Sequence, residues 1–265
     1  MSLAQRLLGA YDAGSLTPLP SAEDASFTVA AAFETADALR RLRIARGEQP
    51  VGYKIGFTNR GIWERYRVHQ PIWGPVWDST TALLDGASTA GSLRGLSQPR
   101  LEPEVVFGFA ATPRAGMSLA ELQDCLDWVA HGFEIVHTHF DGWRFTAADT
   151  VADFALHGRL YVGPRVPVRG WTALAQDLAA LRVELLCDGR VVDRGQGSNV
   201  LDGPLNALRL WLDAMAQHTP GWPVRPGDCV TTGTITDAWP LQPGQTWSTR
   251  LSDDRLAALT LRTDA

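Results

Sequence analysis

The run Leu101-Glu102-Pro103-Glu104-Val105-Val106-Phe107-Gly108 restricts what this chain can fold into more than any other stretch. Its apolar, β-branched and aromatic residues read as a strand, yet a proline sits inside it with a carboxylate on either side. Proline lacks the N–H that a sheet ladder uses, so the segment belongs at an edge, a strand start or a bulge. Side chains alternate faces along a strand, so Glu102 and Glu104 point the same way, with Cα atoms roughly 6–7 Å apart. A solvated polar face would explain such a pair. So would a cation held between them.

A hard divalent ion suits that second reading, because Mg²⁺, Mn²⁺ and Ca²⁺ take oxygen ligands. A third acid, Glu134, lies in another β-like run, Phe133-Glu134-Ile135-Val136. Three carboxylates on two strands would fill half of an octahedral shell and leave the rest to water and substrate.

The remaining chain is ordinary enough to exclude several classes. Its 265 residues, 45% of them hydrophobic, suffice for one substantial domain, with or without a small appendage. Acids and bases are interspersed at a net charge of −5, which speaks against a nucleic-acid partner or a polybasic membrane patch. The start Met1-Ser2-Leu3-Ala4-Gln5-Arg6 lacks the order of a secretion signal, and no apolar run is long enough to span a membrane, so the expected location is the cytoplasm. Cys125, Cys187 and Cys229 are far apart with no CxxC, and read as core thiols rather than a disulfide or zinc framework.

Hydrophobic spacing predicts a helix through Leu3, Leu7, Leu8 and Tyr11, and a long one from Phe27 to Arg46 with Ser26 as cap. Residues 1–50 therefore read as a helical arm or cap, and 51–265 as the body. Val51 to Phe57 reads as a strand, with Thr58 or Asn59 capping a short helix around Trp63, and residues 71–78 as a loop or bulged strand. Ser118 and Glu121 form a capping box for a helix expected to reach about Ala130. Beyond it come a strand over 158–168, a short helix at 171–178, a strand at 181–187 turning back at Asp188-Gly189, a helix from Pro204 to Ala216, and several short strands to about residue 262. The fold class is α+β: a curled mixed sheet or barrel-like body with an N-terminal helical portion.

Lys54 is the only lysine and sits in an apolar, glycine-flanked strand. An ammonium there needs an anion unless it reaches solvent from an edge. The candidate anions are a substrate carboxylate and Asp78, in a proton-transfer role near the metal. His137 and His139 share the strand face opposite Glu134, and without a third His or Cys nearby they do not make a zinc site. His69, His131, His157 and His218 read as structural or exposed. Ser198 and Asp202 lack the GxSxG elbow of a hydrolase triad, and Gly195, Gly197 and Gly203 lack the spacing of a dinucleotide fingerprint. Thr231-Thr232-Gly233-Thr234 is either an ordinary β-turn or a set of donors for a carboxylate.

These residues fall in an order that resembles the fumarylacetoacetate hydrolase superfamily, in its branch of 2-keto-4-pentenoate hydratases and 4-oxalocrotonate decarboxylases. The similarity runs through GYKIGFT at 52–58, QPIWG at 70–74, QPRLEPEV at 98–105, FEIV at 133–136, DTVAD at 149–153, GPLNAL at 203–208 and RPGDCVTTG at 225–233. It implies a curled, incomplete β-roll, Mg²⁺ or Mn²⁺ held by Glu102, Glu104 and Glu134, and Lys54 with Asp78 as the acid/base pair. It further implies that Thr232, Gly233 and Thr234 lie at the substrate end of the pocket, that the substrate is a small 2-keto acid, and that the protein is a homo-oligomer. The implied activity is a metal-dependent lyase, a hydratase of a small 2-hydroxydienoate. The alternatives are a 4-oxalocrotonate-type decarboxylase, a C–C bond hydrolase of acylpyruvate type using His137 or His139, and a non-catalytic scaffold subunit.

The chain departs from the branch at three places. His137-Thr138-His139 stands where a small or acidic residue followed by Ser-Arg is common, Ser79-Thr80 follows Asp78 where Asp and Met often stand, and Phe154 replaces an Asn after DTVAD. The expectation is an altered substrate pocket, with His137 and His139 among its substrate contacts.

Overall fold

The computed structural model describes residues 1–66, 68 and 70–265; His69 lies outside them. The N-terminal portion is helical. α1 (Leu3–Ala13) opens on a reciprocal capping box between Ser2 and Gln5, and a short α2 (Pro20–Glu23) follows. α3 (Val29–Ala45) starts later than the spacing predicts because Thr28, not Ser26, accepts the first free N–H, that of Ala31 at 3.2 Å; the Ser26 hydroxyl donates instead to Asp24 at 2.6 Å. Leu7, Phe33 and Leu39 enter the same buried cluster as Ile55 and Trp73, so these helices share a core with the sheet.

β1 (Pro50–Gly56) leads to a 3₁₀ turn capped by Asn59 and to α4 (Trp63–Tyr66). β2 (Ile72–Trp77), β3 (Thr81–Leu83), β4 (Ser88–Ser92) and β5 (Arg100–Phe109) follow. α5 (Leu119–Asp124) carries the Ser118–Glu121 box but stops six residues short of the expected end. Residues that local propensity left open there are claimed by β6 (Leu126–Val136), which pairs along almost the whole length of β5.

The chain then forms α6 (Ala147–Ala152), β7 (His157–Val162), β8 (Val166–Pro167) and α7 (Leu174–Ala180). A hairpin of β9 (Arg182–Cys187) and β10 (Arg190–Gln196) turns at Asp188-Gly189, and α8 (Pro204–His218) begins with its proline in the first turn. β11 (Cys229–Thr231), β12 (Trp239–Pro240), β13 (Thr246–Leu251) and β14 (Thr260–Asp264) complete it. No helix among the described residues is long and apolar enough to cross a membrane.

Two sheets result. The larger runs β2-β1-β11-β5-β6-β7-β3, with β12 added to β5 and β8 to β6; the smaller runs β10-β9-β13-β14-β4. They pack through Leu101, Phe133 and Tyr161 against Leu185, Trp247 and Leu261. On the opposite face of β5 and β6, Val76 of β2 shares a buried cluster with Val106 of β5 and Leu160 of β7. Strands β2 and β7 stand five places apart, which in a flat sheet is roughly 24 Å at about 4.8 Å per strand. They meet because the sheet curls into an incomplete roll.

Pro103 corrects one expectation. It lies within β5, between β6 and the β11/β12 side, rather than on a sheet edge. Its carbonyl accepts from Ile235 N–H at 3.0 Å, and in an antiparallel strand a residue's N and C=O point to the same side. Its nitrogen therefore faces the gap where β11 has ended and β12 has not begun, and no bond to β6 is lost.

Candidate active site

The β5–β6 register sets Glu102 directly opposite Glu134, with Glu104 opposite Gly132. Directly opposed like charges destabilise a sheet, and here one oxygen from each of Glu102, Glu104 and Glu134 lies within 4.8 Å of the others. Glu104 and Glu134 are fully buried. Burial, and then the neighbouring carboxylates, push Glu102 and Glu104 above the usual carboxylate range. Burial would raise Glu134 as well, but Lys54 and His157 outweigh it and hold that carboxyl below its ordinary value.

Glu104 and Glu134 are held by named donors. Glu104 Oε2 accepts from the Thr231 hydroxyl and the Gly233 N–H. Gly233 is required there: its φ is +101°, and a Cβ would sit 1.9 Å from Thr58 Oγ1. Glu104 Oε1 is buried without a hydrogen-bond partner, an orphan that a cation would satisfy. Glu134 Oε2 accepts from Lys54 Nζ at 2.9 Å, and Oε1 from His157 Nδ1 at 2.9 Å. The oxygen-only donor set, three acids facing one another and the free Glu104 oxygen fit a hard divalent ion.

Lys54 is 2% exposed. Burial works against its charge, but Glu134, Glu102 and Glu104 together raise its pKa, so it stays an ammonium. Of the two anions expected for it, Asp78 is not the one found. Asp78 is exposed just past the end of β2, where its Oδ1 accepts from the N–H groups of Gln49 and Ser79 at 3.0 and 2.8 Å. The β1–β2 register puts Trp77 beside Pro50 and Gly74 beside Lys54, so Asp78 lies roughly 13–16 Å away along the strands.

Lys54 and Glu102 line a cavity of about 190 Å³, while Glu104 and Glu134 are fully buried beside Glu102 and form no part of its wall. That volume is below the roughly 300–1,000 Å³ of sites for drug-sized ligands and suits a small acid. Gly233 and Thr234 line it, and the Thr234 hydroxyl is buried without a partner. Thr232 does not line it: its hydroxyl turns away to donate to Val105 O at 3.0 Å. The alternation that turns Thr232 away is what delivers Thr231 to Glu104.

His137 and His139 are also absent from the cavity wall. β6 ends at Val136, and the chain beyond it is buried under α1, where both imidazoles pack on Tyr11 at centroid distances of 5.4 and 5.9 Å. His139 Nδ1 pairs with Asp153 at 2.6 Å. Phe154 packs on Tyr11 as well, at 4.6 Å. The departures at 137, 139 and 154 thus pack together beneath the N-terminal helix, and the C–C hydrolase alternative loses its histidine.

The cavity wall is instead built by residues that sequence reasoning passed over. Phe57, Ile72, Trp143 and Phe145 give it apolar surface, and Arg100, two residues before Glu102 on the same strand face, stacks over Trp143 at 4.1 Å. Ala155 and Leu156 complete the wall in a strained turn in which Phe154, Ala155 and Leu156 have φ of 56°, 50° and 66°. Left-handed backbone costs a non-glycine residue about 1–2 kcal/mol.

No family model matches the chain. It is 32% identical over 233 residues to 2-hydroxyhexa-2,4-dienoate hydratase of Comamonas testosteroni, an alignment spanning 87% of this chain and 85% of that protein. Its structure matches that of 4-oxalocrotonate decarboxylase from Pseudomonas putida G7, complexed with magnesium and adipate, with a TM-score of 0.89 and 25% identity, covering 98% of this chain and 95% of that one. Fumarylpyruvate hydrolase from Pseudomonas aeruginosa, in complex with Mn²⁺ and pyruvate, shares the fold with a TM-score of 0.58 and 13% identity over 80% of this chain and 88% of that one.

Proposed function

Because the chain belongs to the 2-keto-4-pentenoate hydratase and 4-oxalocrotonate decarboxylase branch of the fumarylacetoacetate hydrolase superfamily, and is a lyase of that family, we propose that it hydrates a small 2-hydroxydienoate. The observation that carries this reading is the convergence of Glu102, Glu104 and Glu134 with one buried ammonium, Lys54, at a cavity sized for a small acid.

Glu102, Glu104 and Glu134 would hold Mg²⁺ or Mn²⁺, which supplies Lewis-acid stabilisation of the charge that develops on the substrate's 2-oxygen. Lys54 is a buried ammonium bonded to Glu134 and lining the cavity beside Glu102, and we assign it the proton transfer that turns the dienoate into an enone, to which water adds. Thr234 Oγ1, buried at the cavity wall without a partner, is the donor assigned to the substrate carboxylate. Phe57, Ile72, Trp143 and Phe145 would pack on the carbon chain and exclude bulk water.

A second reading is favoured by Arg100. A guanidinium at the cavity can meet a second, distal carboxylate, and a substrate carrying one can lose CO₂ into the same enolate instead of taking up water. Family resemblance also supports a homo-oligomer, which light scattering reads directly. Turnover of 2-hydroxydienoates and 2-oxo-enedioates by the purified protein with Mg²⁺ or Mn²⁺ decides between the reactions. Absence of any metal- and Glu102-dependent turnover across both classes would overturn the proposal.

A further inference from the structure

His157 belongs to none of the motifs that carry the family resemblance, yet it touches Glu134 directly, and two local irregularities put it there. Along β6 and β7 the register runs Gly132 with Val162, Phe133 with Tyr161, Glu134 with Leu160 and Ile135 with Arg159, and then slips so that Val136 faces His157. In an unbroken ladder residue 158 would face Val136, and His157 would point to the opposite face of the sheet from Glu134. One extra residue, Gly158, restores it to the Glu134 side, as a β-bulge does when it re-aims a side chain. A Cβ at Gly158 would lie 2.7 Å from the Ile135 carbonyl oxygen, so the bulge needs glycine. On the other flank is the left-handed turn Phe154-Ala155-Leu156. Strain of that kind persists where the surroundings over-determine it, and it clusters at functional sites.

Between these two devices the imidazole is fully buried and bonded at both nitrogens: Nδ1 to Glu134 Oε1 at 2.9 Å and Nε2 to Thr80 Oγ1 at 2.8 Å. With Lys54 on Oε2, both Glu134 oxygens have a donor, and the carboxylate plane is fixed from two sides. We propose that His157, anchored by Thr80, is a positioning residue that presents Glu134 to a divalent cation. The inference rests on the reading of Glu102, Glu104 and Glu134 as cation ligands.

The test is calorimetric titration of EDTA-treated full-length protein with MgCl₂, repeated with MnCl₂ and Mn²⁺ electron paramagnetic resonance. Loss of a partner that orients a ligand costs about 10–100-fold in metal affinity. His157→Ala is expected to weaken binding by that factor and to regain most of its kcat at saturating metal, with KM for substrate unmoved. Asparagine and glutamine separate the two ring nitrogens: His157→Asn keeps a donor near the Nδ1 position and should bind metal within a few-fold of the parent, whereas His157→Gln, with its amide near the Nε2 position, should not. Should the alanine variant fail to fold, this pair still decides. Parent-like affinity in the alanine variant, or equal weakening in the Asn and Gln variants, overturns the inference. Absence of binding in the unmutated protein would instead overturn the metal reading beneath it.

Discussion

Lys54 Nζ lies 2.9 Å from Glu134 Oε2, although β1 and β6 are separated by β11 and β5. In a flat sheet the two backbones would stand roughly 14 Å apart, so the curl of the sheet is what brings the ammonium to the acid. Removing one partner of a buried pair leaves an uncompensated charge and typically costs 3–5 kcal/mol. Lys54→Met is therefore expected to lower Tm in EDTA, and Mg²⁺ should restore part of the loss by taking over the charge. Turnover should fall roughly 10²–10⁴-fold even at saturating metal, the usual worth of a general acid/base group. Scanning calorimetry with and without Mg²⁺, beside steady-state kinetics, separates the two effects.

Glu104 gives the opposite sign in the metal-free protein. Its carboxyl is fully buried, pushed above its usual range by burial and by Glu134 and Glu102, and one oxygen has no partner. Glu104→Gln removes a like charge from the cluster, so Tm in EDTA should hold or rise. The parent should gain about 2.7 kcal/mol of stability at a cation concentration 100 times Kd, and the variant should gain nothing at the same concentration. Thermal shifts across a MgCl₂ series report both outcomes.

Arg100 stacks on Trp143 at the cavity, two residues along β5 from Glu102. Arg100→Gln keeps a polar side chain and discards the positive charge. With a 2-oxo-enedioate, kcat/KM is expected to fall at least about 10-fold, since a charge-assisted contact is worth roughly 1.5–3 kcal/mol. With a 2-hydroxydienoate carrying no distal carboxylate, the change should stay within about 3-fold. Equal losses on both substrates would remove Arg100 from any role in discriminating them.

How far the sequence reaches depends on whether a residue's place is set by local pattern or by long-range geometry. Period two predicts that Glu102 and Glu104 share a face, and the β-like run around Glu134 foreshadows the third acid; all three meet. Helices α1, α3 and α8 follow from caps, a first-turn proline and spacing, to within a few residues. The end of α5 does not, because pairing with β5 overrides the capping-box helix after Cys125. His157 could not be found from its own stretch: its face is set by a bulge visible only in the β6–β7 register. The error on His137 and His139 has the same origin, since nothing local announces that the strand ends at Val136 and that the chain then dives beneath Tyr11. Thr231 was within reach: Thr232 and Thr231 alternate faces, and Gly233 with φ +101° bends the chain so that both Thr231 Oγ1 and the Gly233 N–H meet Glu104.

His131 supplies a pH test away from the cavity. It is 1% exposed, with Nδ1 at 2.9 Å from the Glu104 carbonyl and Nε2 at 3.0 Å from Thr249 Oγ1. Burial pushes its pKa down to about 4 from an ordinary 6.5, against the pull of the Glu104 carbonyl. The folded state thus holds the ring neutral where the unfolded chain would protonate it. A group whose folded pKa is depressed contributes stability above its unfolded pKa and loses it as pH falls toward the folded value. The window here runs from about 6.5 down to about 4, and a shift of that size corresponds to about 3 kcal/mol. His137 and His157, also held below the ordinary value by burial, add to the same slope. Glu102 and Glu104, held above their ordinary range, give the opposite slope, so urea denaturation in EDTA at pH 4, 5, 6, 7 and 8 reads the His131 contribution as the difference between parent and variant. His131→Gln should be less stable at pH 8, because two buried hydrogen bonds are disturbed, yet its deficit against the parent should narrow between pH 6.5 and 4. Parallel acid limbs for the two proteins would mean that His131 carries none of the pH dependence.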